Sequence, residues 1–418
     1  MSDPRAGADD LREAALKLHR DNRGKLAIKS KVSVTNAREL SLAYTPGVAE
    51  ACKEIDSDPK KVFEYTNRGN LVAVVTDGSA VLGLGNIGPL GGYPVMEGKC
   101  ILFKAFAGVD ALPLCLDTQD PDEIVETVVR CAPTFGSINL EDISAPRCFG
   151  IEEELIRRLD IPVFHDDQHG TAVVAGAALT NALKVAEKEL SDIRVVINGA
   201  GAAGLAIARL FLQMGVGDVV LCDLKGALYE GFEGIANERQ AEMARLTNRE
   251  NLKGSLAEVM RGADVFLGVS AGGVVDGDMV RSMADNAVVI AMANPVPEIY
   301  PDEALEAGAL VVATGRSDFP NQINNVLAFP GIMAGAMMVR ARGIGAAAKS
   351  AAAEAIAGAV APEELDPGFI IPGVFNPDVA PRVAAAVARV CVAEGDARNR
   401  MDASEVERIV RERAALSG

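Results

Sequence analysis

The chain has 418 residues, of which 49% are hydrophobic and 24% charged, and a formal net charge of -17. That length exceeds one ordinary domain and implies two or three, each with a core of its own. Lys and Arg total 41 against 58 Asp and Glu and form no run, which excludes a nucleic-acid partner because phosphate binding needs clustered positive charge.

Seven cysteines, Cys52, Cys100, Cys115, Cys131, Cys148, Cys222 and Cys391, stand singly, several inside apolar runs. They read as small buried hydrophobes of a reducing compartment. The opening Met-Ser-Asp-Pro-Arg-Ala-Gly has no apolar signal core, and no uncharged stretch reaches membrane-spanning length. The expectation is a cytoplasmic protein with no membrane partner.

In chain order, residues 9–19 have helical apolar spacing behind an acidic start. A turn-rich passage follows and leads to Tyr44, which precedes Thr45-Pro46-Gly47 and so sits beside a rigid turn, as a half-buried anchor or a chemical group. Leu71 to Thr76 reads as a buried strand ending at Asp77-Gly78. Gly83-Leu-Gly-Asn-Ile-Gly88 matches G-x-G-x-x-G, but it continues into Pro89-Leu-Gly-Gly-Tyr-Pro94, which should not open the helix that a pyrophosphate needs. A flexible loop lining a site is expected there. Cys100 to Phe106 reads as a strand, which puts Lys99 at a loop-strand junction. Such a lysine is either solvated or, beside a metal and an apolar wall, lowered in pKa and able to act as a base.

Strands then alternate with helices: strand 112–116, helix 121–131, strand 138–140, helix 151–159 and strand 162–165. Repeated strand-helix units imply a parallel sheet covered by helices, with ligands beyond the C-terminal strand ends. Two acidic pairs, Glu141-Asp142 and Asp166-Asp167, fall at such ends. Each is either a capping feature or a source of oxygen ligands for a hard cation, and a shared site would bring both to one ion.

A helix over 171–190 bridges to a second sheet. There the strand from Arg194, the turn Gly199-Ala-Gly201-Ala202-Ala203-Gly204 and a helix through Met214 arrive in the order that a dinucleotide site requires. Asp223 ends the next strand, 24 positions after Gly199, where it can accept from both ribose hydroxyls. It would repel a 2'-phosphate and so favours NAD, while Lys225 leaves NADP open. Further strands at 264–269, 287–293 and 310–313 precede loops carrying Asn294 and Asn321 to Asn325. Helices are expected at 345–361, 379–394 and 403–415, with no strand after Val326. The fold expectation is α/β with two domains, each a parallel sheet flanked by helices: residues 1–165, completed by 326–418, and a Rossmann-type domain at 166–325.

Tyr44-Thr-Pro-Gly, Thr76-Asp-Gly, Gly83-Leu-Gly, Gly98-Lys99, Glu141-Asp142, His165-Asp-Asp-Gln-His-Gly-Thr171, the Gly199 turn, Asn294-Pro and Asn324-Asn325-Val with Phe329-Pro-Gly together resemble the malic enzymes. The likeness runs in unbroken order over about residues 36 to 340 and fits the short, single-unit form. It implies oxidative decarboxylation of L-malate to pyruvate and carbon dioxide, with NAD or NADP reduced and Mg2+ or Mn2+ required. It further implies Glu141, Asp142 and Asp167 as metal ligands, Asp166 orienting Lys99 as base, and Tyr44 as proton donor. Asn294 and Asn325 would hold the substrate carboxylate and the nicotinamide side, and the protein would be a homodimer or higher homo-oligomer. Ser79-Ala80 depart from the pattern of larger members, which carry a carboxylate-binding arginine there, so the group holding malate's second carboxylate is unassigned.

Three other readings fit parts of the chain. One is a dehydrogenase of a different 2-hydroxy acid, with the same metal and dinucleotide. Another is a nucleotide-sensing regulator without catalysis, which gives no reason for Lys99, Tyr44 and three carboxylates to coexist. The i, i+4 pair His165 and His169 has the spacing of a zinc pair, but Asp166 stands where a metallopeptidase has Glu, and Gly170 follows directly. The two histidines therefore read as structural.

Overall fold

A computed structural model describes residues 4–416 apart from Leu82, with side chains described from Leu11 onward. The N-terminal part carries helices α1 (Pro4–Asn22), α2 (Ala37–Ala43), α3 (Val48–Ser57) and α4 (Val62–Tyr65), and no residue from Leu11 to Asn70 is buried. Strand β1 (Leu71–Thr76) follows, then α5 (Gly88–Ala107), β2 (Asp110–Cys115), α6 (Pro121–Cys131), β3 (Ser137–Leu140), α7 (Arg147–Arg158) and β4 (Val163–His165). These strands form a parallel sheet in the order β2-β1-β3-β4. The connection reverses direction between β1 and β3, and that switch point is where an open α/β sheet leaves a crevice for ligands.

Helix α8 (Asp166–Ala186) leads to the second sheet, built from β5 (Arg194–Asn198), β6 (Asp218–Asp223), β7 (Gly226–Ala227), β8 (Val265–Gly268), β9 (Val288–Ala291) and β10 (Val311–Thr314). Its order is β10-β9-β8-β5-β6-β7, parallel except for the short β7. Helices α9 (Ala202–Met214), α10 (Glu238–Leu246), α11 (Leu256–Val259), α12 (Gly277–Arg281) and α13 (Pro301–Glu306) connect these strands. The chain ends in α14 (Phe329–Met338), α15 (Ala346–Ala357), α16 (Val379–Glu394) and α17 (Ala403–Ala415). Helices α14, α16 and α17 pack on α5 beside the first sheet, while α15 packs on α8. One hydrophobic core runs from Val72 and Phe103 through Val174 and Leu179 of α8 to Ile197 and Phe211, joining the two sheets.

The regular alternation and the second sheet follow the sequence expectation closely. The stretch around Lys99 does not. Residues 88–107 are one helix, so Lys99 lies in mid-helix, and the run Pro89 to Pro94 does open a helix. The physical reason is periodicity: its buried apolar side chains, Met96, Cys100, Phe103 and Ala107, form a stripe at i, i+4, i+7 and i+11 that a continuous apolar run conceals. Pro89 suits the first helical turn, and Gly108 at φ 64° provides a left-handed stop. The glycines serve packing, since a Cβ at Gly78 would lie 2.2 Å from the Gly88 carbonyl. The amides of Ile87 and Gly88 are spent on the Gly78 carbonyl.

Two smaller departures have similar causes. Helix α8 begins at Asp166, five residues before the expected start, so both carboxylates occupy its first turn. Helix α14 was not anticipated: it is buried from Phe329 to Met337, and a helix that is apolar all round has no periodic signature.

Candidate active site

Pairing register aligns the ends of the first sheet. Val75 faces Leu140, and Leu140 faces His165, so Glu141 and Asp166 emerge at one level. Glu141, Asp142 and Asp167 converge there, with ligand-capable oxygens all within 4.8 Å of one another. Asp142 adopts φ 54°, a left-handed conformation that costs energy in a non-glycine residue, and its amide donates to Asp167 Oδ2 at 2.8 Å. Asn139 donates to Glu141 Oε2 at 2.9 Å. Glu141 and Asp142 are buried, and Asp167 keeps 35% of its side chain exposed. Three hard oxygen donors facing an open side fit a divalent cation that retains positions for substrate.

Lys99 reaches this cluster from α5. Its Nζ lies 2.8 Å from Glu141 Oε1 and 2.5 Å from Asp166 Oδ2, with the Phe329 ring centroid 4.1 Å away. Asp166 is fully buried and its Oδ1 has no hydrogen-bond partner among the described residues. Gly170 is required by this placement, because a Cβ there would lie 1.8 Å from Asp166 Oδ1. Asn325 donates to Asp166 Oδ2 at 3.1 Å and to Thr171 Oγ1 at 3.0 Å, which ties the loop after β10 to the start of α8.

Electrostatics correct one expectation. Burial pulls Lys99 downward, but Asp166 and Glu141 more than offset it, so its pKa is raised and the side chain is held as an ammonium. Burial and the neighbouring carboxylates push Glu141 well above the usual carboxylate range, against the pull of Lys99. Burial would raise Asp167 as well, but a 3.1 Å contact with His165 Nε2 leaves it lowered.

The histidines turn away from any shared ion. His165 contacts Asp167 and Gln168, while His169 Nε2 lies 2.9 Å from Glu152 Oε1. Sequence reasoning missed Glu152, a buried acid on α7 that accepts from the His165 amide at 3.2 Å and from Gln168 at 3.0 Å. In the sequence it is one of three consecutive glutamates, Glu152 to Glu154, which read as an ordinary acidic run on a helix. Arg147 was missed too. It lies 3.1 Å from Asp77 and donates to Ser144 Oγ at 2.9 Å, so a guanidinium does reach the Asp77-Gly78 turn from another element.

In the second sheet each turn glycine has a separate reason. Gly199 has φ 116°, and a Cβ there would lie 2.7 Å from the Val269 carbonyl. Gly201 caps α9 and would meet nothing, which leaves open space over the helix N-terminus. A Cβ at Gly204 would lie 1.7 Å from the Gly199 carbonyl, so only glycine lets α9 approach β5. Ala202 and Ala203 form the first turn of α9. Asp223 ends β6 and accepts from Gln240 at 2.8 Å, while Gln240 also donates to the Ala200 carbonyl at 3.0 Å. That buried glutamine, unmarked in the sequence, locks the carboxylate to the glycine turn.

Two predicted residues lie outside the Lys99 cluster. Asn294 is exposed, and its carbonyl lies 3.4 Å from where a Gly83 Cβ would be, so the two loops face each other in close contact. Tyr44, at the end of α2, has 66% of its surface exposed.

Comparison with known proteins agrees with this geometry. The family model described as malic enzyme, N-terminal domain, matches residues 23–156, and that described as malic enzyme, NAD binding domain, matches residues 168–392. The chain belongs to the malic enzyme family. It is 59% identical over 396 residues to the bifunctional malic/malolactic enzyme of Bacillus subtilis, covering 95% of this chain and 97% of that protein. It is 55% identical over 375 residues to the NAD-dependent malic enzyme of Geobacillus stearothermophilus, covering 90% and 78%. The crystal structure of malic enzyme from Pyrococcus horikoshii superimposes with a TM-score of 0.94 at 48% identity, over 97% of this chain and 96% of that one. As a malic enzyme, the protein oxidises and decarboxylates L-malate to pyruvate and carbon dioxide with NAD(P), NAD being favoured, in a reaction that depends on a divalent metal. Among the described residues no helix is long and apolar enough to cross a membrane.

Proposed function

We propose that Lys99 is the general base of this reaction and that Glu141, Asp142 and Asp167 hold the divalent cation. The supporting observation is the Lys99 ammonium caught between Asp166 and Glu141, where Glu141 also belongs to the three-carboxylate cluster. NAD and the cation, when bound, supply the hydride acceptor and the Lewis acid that polarises the 2-hydroxyl and the later ketone. As a ligand of the cation when one is bound, Glu141 would stabilise the Lys99 ammonium less, so that Lys99 releases a proton to bulk water and its neutral Nζ accepts the malate 2-hydroxyl proton. Asp166 keeps Nζ aimed and favours its re-protonation. Asn325, fixed on Asp166 and Thr171, and Asn294, on the facing loop, orient the substrate carboxylate and the nicotinamide side. Gly199, Gly201, Ala202, Ala203 and Gly204 receive the pyrophosphate, and Asp223 the ribose hydroxyls.

Tyr44 donates the proton that C3 takes up after carbon dioxide leaves, and it does so in a second copy of the chain. Its exposure, and the lack of any buried residue from Leu11 to Asn70, favour a homodimer whose N-terminal helices lie on the neighbouring subunit. The division into domains follows the sheets: residues 1–165 with 326–418 carry substrate and metal, and 166–325 carry the dinucleotide. The protein works in the cytoplasm.

The test is spectrophotometric. With L-malate, Mn2+ and NAD, NADH should form together with pyruvate, and Lys99→Ala should lower kcat by about 10²- to 10⁴-fold while NAD still binds. Full turnover in Lys99→Ala would remove the lysine from its role. Lactate is measured in the same samples, because the Bacillus subtilis relative is also named for malolactic activity.

A further inference from the structure

Behind the metal cluster, where α7, α8, α9, α10 and α15 meet, lies a cavity of 160 Å³ that the reaction does not use. It occupies the seam between the two sheets. One wall is apolar, formed by Phe149, Val173, Leu205, Leu210 and Met243. The opposite side is charged, and most of that charge is already paired. Arg209 lies 3.0 Å from Glu242, Arg239 contacts Glu153 and Glu242, and His169 engages Glu152. Lys349, on α15, is the exception. It lines the cavity and is largely enclosed, yet its ammonium makes no hydrogen bond and no ion pair within 4.0 Å among the described residues, with Glu152 attracting it only from further away.

A cation with no direct partner against an apolar wall, its nearest counter-charge Glu152 acting only from a distance, selects a ligand with one anionic end and a hydrophobic body. Size narrows this further, since an apolar cavity of about 150 Å³ takes up benzene. We propose that this cavity is a binding site for a compact carboxylate of roughly benzoate size, its carboxylate paired with Lys349 and its body against Phe149 and Leu210. Arg209 and Arg239 also line the cavity and are partly exposed, but their charges are offset by Glu242 and Glu153. Burial, with Arg209 adding to it and Glu152 opposing, brings Lys349 down to about 8. A bound carboxylate would raise it again, so binding near pH 9 takes up a proton, while binding at pH 7 does not.

Benzoate and its neutral analogue benzamide are the probes, titrated calorimetrically into the full-length protein with and without saturating L-malate and Mn2+, and without dinucleotide. Benzoate should bind once per chain with a Kd of about 1 mM or tighter. It should bind at least about ten-fold more tightly than benzamide, whether or not malate is present. Lys349→Met should abolish that preference and Lys349→Arg should retain it, while Ala206→Leu, which fills the apolar end, should weaken both probes. No benzoate binding, displacement by malate, or unchanged affinity in Lys349→Met would each overturn the site. If Lys349→Met does not fold, benzoate affinity unaltered by Ala206→Leu overturns it alone.

Discussion

Asp167 stands between two claims, the His165 imidazole that lowers its pKa and the acidic cluster that presents it to a cation. Adding Mn2+ should therefore raise the melting temperature of the protein, by an amount equivalent to about 2–3 kcal/mol at a hundred-fold excess over Kd. In Asp167→Asn that rise should largely disappear, and calorimetric scans with and without Mn2+ measure it; an equal rise in both proteins would take Asp167 out of the ligand set. Glu152 carries a different consequence. Burial would raise it, but His169 and the more distant Lys349 and His165 hold it at about 2, from an ordinary 4.5. A lowered carboxylate stabilises the fold above its unfolded pKa and loses that contribution as pH falls toward its folded value. Urea midpoints of the wild type should thus fall between pH 4.5 and about 2, and Glu152→Gln should flatten that limb and cost about 1–3 kcal/mol at pH 7. An unaltered acid limb in the variant would deny Glu152 this role.

At the scale of elements, α8 and α9 show how a helix start becomes a site. Both Asp166 and Asp167 occupy the first turn of α8, where the helix dipole favours negative charge, and Gly170 behind them leaves room for the Asp166 carboxylate. Helix α9 starts on Gly201 and approaches β5 only because position 204 has no side chain. Gly204→Ala should force the turn apart, costing about 1–3 kcal/mol of stability and weakening NAD binding more than Mn2+ binding. Fluorescence titration with NADH checks this, and an unchanged NADH Kd would show that the close approach is not needed for the dinucleotide.

At the scale of the whole molecule, a core continuous through α8 joins both sheets, and the N-terminal helices stand apart from it. Ile28, Val32, Leu42 and Tyr44 are 93%, 63%, 69% and 66% exposed, an arrangement that a second copy would cover. If Tyr44 serves the neighbouring site, a mixture of Tyr44→Phe and Lys99→Ala proteins, each inactive alone, should recover about a quarter of wild-type turnover after subunit exchange. A mixture as inactive as its parts would put Tyr44 in its own subunit's site.

The sequence by itself determined the α/β alternation, both acidic pairs and the dinucleotide turn, because these depend on local periodicity, strand ends and glycine spacing. The likeness to malic enzymes came from motifs in fixed order, which no packing detail could obscure. What only the tertiary structure decided were contacts between residues far apart in the chain. Lys99 lies in a helix because its apolar neighbours pack as a stripe on α14 and the first sheet, a fact that a run of hydrophobic letters cannot express. Its charge is set by Asp166 and Glu141, which approach it only when β3, β4 and α5 are assembled. Gln240 on Asp223, Glu152 beneath the histidines and Lys349 in its cavity are likewise products of packing, ordinary residues made specific by what the fold sets beside them.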